Sequence, residues 1–134
     1  MHGLCRNCGI RLQRKSYIYC SNSCQAEYRY QAFIRNWLSG STDATTARGV
    51  SQHVRRYLIE AYTEQCWQCG WKEKNLVTGK VPLEVDHIDG NYRRSTPDNL
   101  QMLCPNCHSL TSTFRNLNRG NGRELRRYAS LAQR

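Results

Sequence analysis

Eight cysteines arranged in four close pairs constrain the fold of this chain more than any other feature of its sequence. The pairs are Cys5 and Cys8, Cys20 and Cys24, Cys66 and Cys69, and Cys104 and Cys107. Two or three residues between partners let both sulfurs point at one ion, and two such pairs complete a tetrahedral zinc shell. Because a closed shell leaves no position for water, we predict two structural Zn²⁺ ions and a catalytic centre elsewhere.

The low apolar content of the chain indicates that its stability does not come from a hydrophobic core alone. The 134 residues are 39% hydrophobic, with a mean hydropathy of -0.76. Disulfides in a secreted protein are the alternative use of paired cysteines. Residues 1–5 hold no apolar run for a signal peptide, and no stretch approaches the roughly 20 apolar residues of a membrane span. We therefore expect a cytoplasmic protein, away from membranes, with reduced thiols that bind zinc.

The charge of the chain favours a polyanionic partner. Twenty Lys and Arg residues stand against ten Asp and Glu residues, which gives a net charge of +10 at pH 7. Two Zn²⁺ ions held by eight thiolates would cancel only part of this excess. Clustered cations bind phosphates by releasing condensed counterions, so DNA is the expected partner.

The N-terminal part of the chain, residues 1–38, is predicted to form a four-cysteine zinc module followed by a helix. Apolar residues recur three and four positions apart from Gln25 to Leu38, which is typical of an amphipathic helix. Residues 39–52 are rich in Ser, Thr, Gly and Ala without periodicity. We predict a linker there, with the domain boundary inside it.

Residues 53–134 are predicted to form a second domain that ends in a basic tail. Its expected elements are a helix at about 53–64, strands at 83–88 and 100–103, and a helix at 108–118. Asp89-Gly90-Asn91 is a turn signal after the first strand. The Ser and Thr content of the last helix gives it poor intrinsic propensity, so packing would have to hold it.

Cys104-Pro105-Asn106-Cys107-His108 also fits the CxxCH pattern of c-type haem attachment. Haem attachment usually requires export, for which no signal is visible here. A matching pair of zinc ligands is available at Cys66 and Cys69. The sequence therefore favours zinc over haem.

Asp86-His87, Asn99 and His108 carry the residue types needed for phosphodiester hydrolysis. A histidine with an unperturbed pKa of about 6.5, such as His87, can accept a proton from the attacking water. Asp86 and His108 offer one oxygen and one nitrogen to a divalent ion and leave its other positions open. Such a shell suits Mg²⁺ or Mn²⁺, although the imidazole keeps other transition metals possible.

One geometric condition applies to this motif. Adjacent residues on a regular strand point to opposite faces, yet Asp86 and His87 have to serve one phosphate. The strand is therefore expected to twist or end near His87. The sequence alone assigns no role to Glu84, two residues before Asp86.

Asp86-His87, Asn99 and His108 resemble, in order and in spacing, the Asp-His, Asn and His of the HNH (ββα-metal) nucleases, including the cysteine knuckles that frame this motif. The resemblance covers about residues 66–118. The N-terminal module and residues 117–123 look more loosely like the short HNH proteins of phage genomes. The resemblance implies a small, zinc-stabilised α+β fold: a ββα-metal core with an N-terminal four-cysteine zinc finger and connecting helices. It also implies that Asn99 pins the loop that carries His87.

The expected function is a metal-dependent HNH DNA endonuclease in a bacterial cell or a phage-infected host, with His87 and Asn99 as its catalytic residues. Whether it cuts one strand or both is left open, as is its oligomeric state. The arginines expected to contact DNA phosphates are Arg93, Arg94, Arg115, Arg119 and Arg123. The alternative function is a non-catalytic, zinc-containing module that binds nucleic acid.

Overall fold

The computed structural model describes residues 2–118, which divide into two units, one ending at Thr42 and the other beginning at Asp43. In the first unit, an isolated antiparallel bridge joins Leu4 to Arg11 around the first cysteine pair. Between them, the Cys5 N–H donates to the Ile10 carbonyl, and Gly9 adopts a positive φ of 76° that lets the chain turn back.

Helix α1 (Asn22–Leu38) completes the first unit. The Ser21 hydroxyl caps it by accepting a hydrogen bond from the Cys24 N–H. Tyr30, Ile34 and Trp37 recur along one face and are buried. The amphipathic helix is confirmed, and it starts at the second cysteine pair and stops before Ser39, as the sequence predicts.

The second unit begins with a short hairpin of strands β1 (Thr45–Thr46) and β2 (Gly49–Val50). The hairpin lies inside the segment predicted as a linker, and Asp43 and Thr45 hydrogen-bond to Ser95 of the same unit. From Asp43 onward the segment is therefore a folded part of the second unit. Sequence periodicity could not reveal a hairpin with strands of two residues.

Helix α2 (Gln52–Tyr62) follows and buries Val54 and Leu58. Strands β3 (Glu84–His87) and β4 (Leu100–Leu103) then form an antiparallel pair in which Asp86 lies opposite Gln101. Both strands fall where the sequence predicted them. The buried apolar residues of this unit include Val54, Leu58, Val81, Leu83, Leu100, Met102 and Leu103.

The predicted helix at 108–118 is wrong in both position and length. Helix α3 (Pro105–Ser109) begins directly after β4 and ends five residues later, and a 3₁₀ turn follows at Arg115–Leu117. The Thr111 hydroxyl donates to the His108 carbonyl and so competes with the helical hydrogen bonds at this point. Within residues 2–118, no helix has the length and apolar content required to cross a bilayer.

Candidate active site

A groove of about 790 Å³ crosses the second unit, and Asp86, His87 and His108 all line it. Asp86 and His87 come from the end of β3, and His108 comes from α3. The groove also receives residues from the β1–β2 hairpin and from the 3₁₀ turn. Elements far apart in the sequence thus bring together the three side chains that the motif singled out.

Asp86 and His108 lie close enough to share one ion. Asp86 is only 7% exposed, and its Oδ1 is 3.6 Å from His108 Nε2. Two ligands of one divalent ion at roughly 2.1 Å each are separated by about 3–4 Å, depending on the angle between them. The other carboxylate oxygen, Oδ2, accepts a hydrogen bond of 2.8 Å from Gln101 Nε2. Gln101, which the sequence did not single out, therefore fixes the orientation of Asp86 from the opposite strand.

Glu84 is a second carboxylate beside His108 that sequence reasoning left without a role. Its Oε2 lies within hydrogen-bonding distance of His108 Nδ1, while Asp86 faces the Nε2 side of the same ring. Residues two apart on a strand lie on one face, and this spacing is the signal that could have found Glu84. A carboxylate bound to the far nitrogen of a metal-ligating histidine fixes its tautomer and raises its basicity.

His108 is held in place by its local surroundings. Phe114 meets its ring edge-on at a centroid distance of 5.2 Å. Helix α3 has only five residues and starts at Cys104, whose sulfur accepts a hydrogen bond from the Cys107 N–H. A helix this short is not stable by itself in water. The second cysteine cluster, which includes Cys104 and Cys107, therefore supports the helix that presents His108.

His87 is half-buried at the end of β3, where the strand stops, as the geometric condition required. The Gly90 N–H donates to the His87 carbonyl, and Gly90 has a positive φ of 77°. Because the strand ends here, the adjacent Asp86 and His87 both line one groove. The His87 Nε2 atom lies 2.9 Å from the Ser95 Oγ atom.

Asn99 stays outside the groove lining and binds the loop that follows His87. It is 2% exposed, and its Nδ2 donates to the Arg94 carbonyl at 2.7 Å and to Asp89 Oδ1 at 2.9 Å. Its backbone carbonyl accepts the Ile88 N–H. These bonds connect Asn99, the residue before β4, to Ile88 and Asp89 at the start of the loop and to Arg94 in its later part.

Residues 66–114 match the sequence model of the HNH endonuclease family. The matched region lies entirely within the second unit. The match includes every groove residue from β3 and α3, and it includes Asn99.

The chain is also similar to the H-N-H endonuclease F-TflIV of Escherichia phage T5, to which it is 44% identical over 59 residues. The aligned region covers 42% of this chain and 24% of the phage protein, so the chain spans about a quarter of that relative's length. No solved structure matches the chain.

Both cysteine clusters have the dimensions of a zinc cage, and the predicted small α+β fold with two such cages is confirmed. In each cluster the four sulfurs lie within 4.8 Å of one another. Cys8 and Cys20 sulfurs are 3.6 Å apart in the first cage, and Cys69 and Cys104 sulfurs are 3.7 Å apart in the second. A tetrahedral shell with zinc–sulfur bonds of about 2.3 Å has edges of roughly 3.8 Å.

In each cage, hydrogen bonds from backbone N–H groups lower the pKa of one thiol. A hydrogen bond from the Cys8 N–H lowers the pKa of Cys5 from 9.0 to about 6. Burial raises the pKa of Cys66, but hydrogen bonds from N–H groups, including that of Cys69, bring it down to about 6. Zinc binds the thiolate, so these N–H groups favour the metal-binding form.

Arginines predicted from the sequence to bind DNA differ in where they lie. Arg115 lines the groove, and its guanidinium packs over the Phe114 ring. The sequence predicted Arg115 on a helix, but it lies on the 3₁₀ turn. Arg94 forms ion pairs with Asp89 and Asp98 outside the groove lining. Arg93 stacks over the neighbouring Tyr92 ring. Arg119, Arg123 and the rest of the predicted basic tail lie outside the described residues.

Two arginines that were not among the predicted DNA contacts also line the groove. Arg48 comes from the turn of the hairpin and is exposed. Arg55 comes from α2 and donates to the Leu83 carbonyl at 2.7 Å. Arg48, Arg55 and Arg115 therefore form a basic lining around the carboxylates Glu84 and Asp86. Only the fold could place the hairpin and α2 beside the HNH motif.

Proposed function

We propose that this protein is a metal-dependent DNA endonuclease in which His87 is the general base and Asp86 and His108 hold one divalent cation. The observation that supports this most directly is the 3.6 Å separation of Asp86 and His108 beside His87 in a single groove. The match to the HNH endonuclease family over residues 66–114 supports the same reaction class.

The chemistry assigns a distinct task to each side chain. His87 accepts the proton of the water that attacks the phosphorus atom. Asp86 and His108 bind the cation, and Glu84 orients His108 through its other nitrogen. The cation, when bound, neutralises charge on the phosphate and on the leaving oxygen. The mixed oxygen and nitrogen donor set suits Mg²⁺ or Mn²⁺, and we expect one of these to support cleavage.

We propose that both four-cysteine cages bind structural Zn²⁺. The second cage has a direct link to the reaction because Cys104 caps the helix that carries His108. Its other half is connected to β4 through the hydrogen bond from the Trp67 N–H to the Met102 carbonyl. Zinc in this cage would therefore hold α3 against the β3–β4 pair.

DNA is held mainly through its phosphates in this proposal. Arg48, Arg55 and Arg115 line the groove and would neutralise phosphates next to the cut. Arg93 and Arg94 remain candidate contacts beyond the groove, although Arg94 is already paired with two carboxylates. A contact set dominated by phosphates gives weak sequence preference and an affinity that falls steeply with salt.

A plasmid assay tests the proposed reaction. Zinc-loaded protein is incubated with supercoiled DNA and either Mg²⁺ or Mn²⁺, and the products are separated into nicked and linear forms. We expect cleavage that His87→Ala reduces by roughly 10²–10⁴-fold, the usual contribution of a general base. His53→Ala is the matched control, because His53 lies on α2 outside the groove lining.

The same assay decides between the endonuclease and the alternative function. A non-catalytic module would bind the plasmid and change its migration. It would not cut the plasmid with either Mg²⁺ or Mn²⁺. Cleavage by His87→Ala at the wild-type rate, with zinc content unchanged, would remove His87 from the mechanism. The ratio of nicked to linear product shows whether one strand or both are cut.

A further inference from the structure

We propose that the hydroxyl groups of Ser95 and Thr45 position His87 and set the tautomer of its imidazole ring. The proposal rests on the proposed function of His87 as the general base. Its consequence is that Thr45, a residue that precedes the matched HNH region, supports the catalytic histidine from another part of the chain. Ser95 and Thr45 are positioning residues in this proposal and do not contact the substrate.

The contact between Ser95 and His87 is buried. Ser95 is 0% exposed, and its Oγ atom lies 2.9 Å from His87 Nε2. The same Ser95 oxygen accepts a hydrogen bond of 2.8 Å from the Thr45 hydroxyl. His87 is thus connected, through Ser95, to a residue that stands 42 positions earlier in the chain, at the start of β1.

Ser95 is itself held by the chain segment that leads into the hairpin. Its N–H donates to Asp43 Oδ2 at 3.1 Å, and its carbonyl accepts the Ala44 N–H at 3.3 Å. With the bond from Thr45, three consecutive residues fix both the backbone and the side chain of Ser95. A hydroxyl held this firmly can fix the ring that it contacts.

The position of Ser95 determines which ring nitrogen acts as the base. Nε2 is engaged with a fully buried hydroxyl, and Ser95 does not belong to the groove lining. The attacking water would therefore be served by Nδ1. A neutral imidazole carries one proton, so Nδ1 can accept a proton only when Nε2 holds the existing one. We infer that Ser95 Oγ accepts hydrogen bonds from both Thr45 and His87 Nε2–H, so that its own proton is directed to a further neighbour of Ser95.

Nitrogen NMR of the resting protein tests the tautomer directly. In protein labelled with ¹⁵N in its histidines, the His87 signals are identified by their loss in His87→Ala. We expect the wild-type ring to be protonated at Nε2, and Ser95→Ala to give a mixture of tautomers. A wild-type ring protonated at Nδ1 would overturn the proposal.

Cleavage kinetics on a short duplex test the consequence. Ser95→Ala is expected to lower kcat by roughly 10–100-fold while KM changes by less than about twofold, because misplacing a catalytic group slows the reaction more than it weakens binding. Thr45→Val, which leaves Ser95 in place, is expected to lower kcat in the same direction by a smaller factor. Zinc content is measured for each variant, so that loss of folding is recognised.

Thr46→Val is the matched control. It makes the same change one residue along the hairpin, where, among residues 2–118, the hydroxyl hydrogen-bonds to Gly49 and Arg48 of the hairpin itself. We expect a kcat close to wild type. An equal loss of kcat in Thr45→Val and Thr46→Val would assign the effect to hairpin stability and overturn the proposal.

These measurements separate this proposal from the proposed function. Failure of wild-type protein to cut DNA with any metal would refute the endonuclease. The tautomer of His87 in the resting protein would still be measured in that case. Wild-type kcat in Ser95→Ala, with active wild-type enzyme, would reject the role of Ser95 and leave the endonuclease intact.

Discussion

The side chain of Asn99 forms a closed pair of hydrogen bonds with Asp89: Asn99 Nδ2 donates to Asp89 Oδ1 at 2.9 Å, and Asn99 Oδ1 accepts from the Asp89 N–H at 3.1 Å. Burial raises the pKa of Asp89, but hydrogen bonds from Asn91 N–H, Asn99 and Arg94 lower it below the ordinary value. Asp89 is therefore ionised at neutral pH and acts as a fixed acceptor. The pair holds the loop two residues after His87.

Replacing Asn99 should loosen this loop. Asn99→Ala removes a buried side chain and leaves the Arg94 carbonyl and the Asp89 groups without this partner, which costs about 1–3 kcal/mol in unfolding free energy. We expect lower stability in denaturant titration together with reduced cleavage. Asn75→Ala is the control, since Asn75 pins an exposed turn outside the groove lining by accepting the Val77 and Thr78 N–H groups. Equal loss of cleavage in both variants would argue against a specific role for Asn99.

Removing Glu84 should weaken metal binding more than it affects folding. Its carboxylate binds His108 Nδ1, and loss of such an outer partner typically costs 10–100-fold in metal affinity or activity. We expect Glu84→Ala to require a correspondingly higher Mn²⁺ concentration for half-maximal cleavage. Glu73→Ala, at another exposed glutamate, should leave the metal titration unchanged. An unchanged titration in Glu84→Ala would mean that His108 is oriented by other contacts.

The arginines that line the groove should contribute to DNA affinity through charge. Neutralising one phosphate contact lowers the slope of log affinity against log salt by about 1. We therefore expect Arg48→Gln and Arg115→Gln each to weaken binding to a short duplex and to reduce this slope. Arg56→Gln is the control, because Arg56 forms an exposed ion pair with Glu60 outside the groove lining. Slopes identical in all three variants would exclude direct phosphate contacts by Arg48 and Arg115.

Gly90 is a position where any side chain would disturb the site. Its φ is 77°, and an added Cβ would collide with the side chains of Asn118 and Thr113, both of which line the groove. The left-handed conformation alone costs a residue other than glycine about 1–2 kcal/mol. Gly79 has a similar φ of 68° with open space around it. We expect both Gly90→Ala and Gly79→Ala to lower the thermal unfolding temperature, Gly90→Ala by more because of the collision, while only Gly90→Ala loses cleavage.

Acid should release zinc from both cages. The pKa of Cys5 and that of Cys66 lie at about 6, below the ordinary thiol value of 9.0, whereas hydrogen bonds with Cys24 and Cys104 raise the pKa of Cys20 and of Cys107 to about 12. Protons therefore compete with zinc for the sulfurs of both cages. A lowered pKa stabilises the protein at neutral pH, and this contribution is lost as the pH falls through about 6. We expect zinc release, followed with a chromogenic chelator, to increase below pH 6. Full retention of zinc at pH 4 would contradict the proton competition.

The sequence by itself determined which residues are candidates for metal binding and catalysis. Paired cysteines at short spacing can reach one ion wherever the rest of the chain lies, and the proposed metal ligand Asp86 and the proposed base His87 are neighbours in the sequence. Strands β3 and β4 were also predictable, because turn residues and apolar runs mark strand ends locally. Helix α3 was misjudged, since propensity cannot show that a cysteine cage holds a five-residue helix in place.

Only the tertiary structure decided which other side chains support this chemistry. Glu84 meets His108 because α3 crosses the face of β3, and Gln101 meets Asp86 because of the strand register. Thr45 reaches the neighbourhood of His87 through Ser95, across a hairpin too short to have a sequence period. These contacts depend on the packing of segments that are distant in the sequence, and local residue patterns carry no information about that packing.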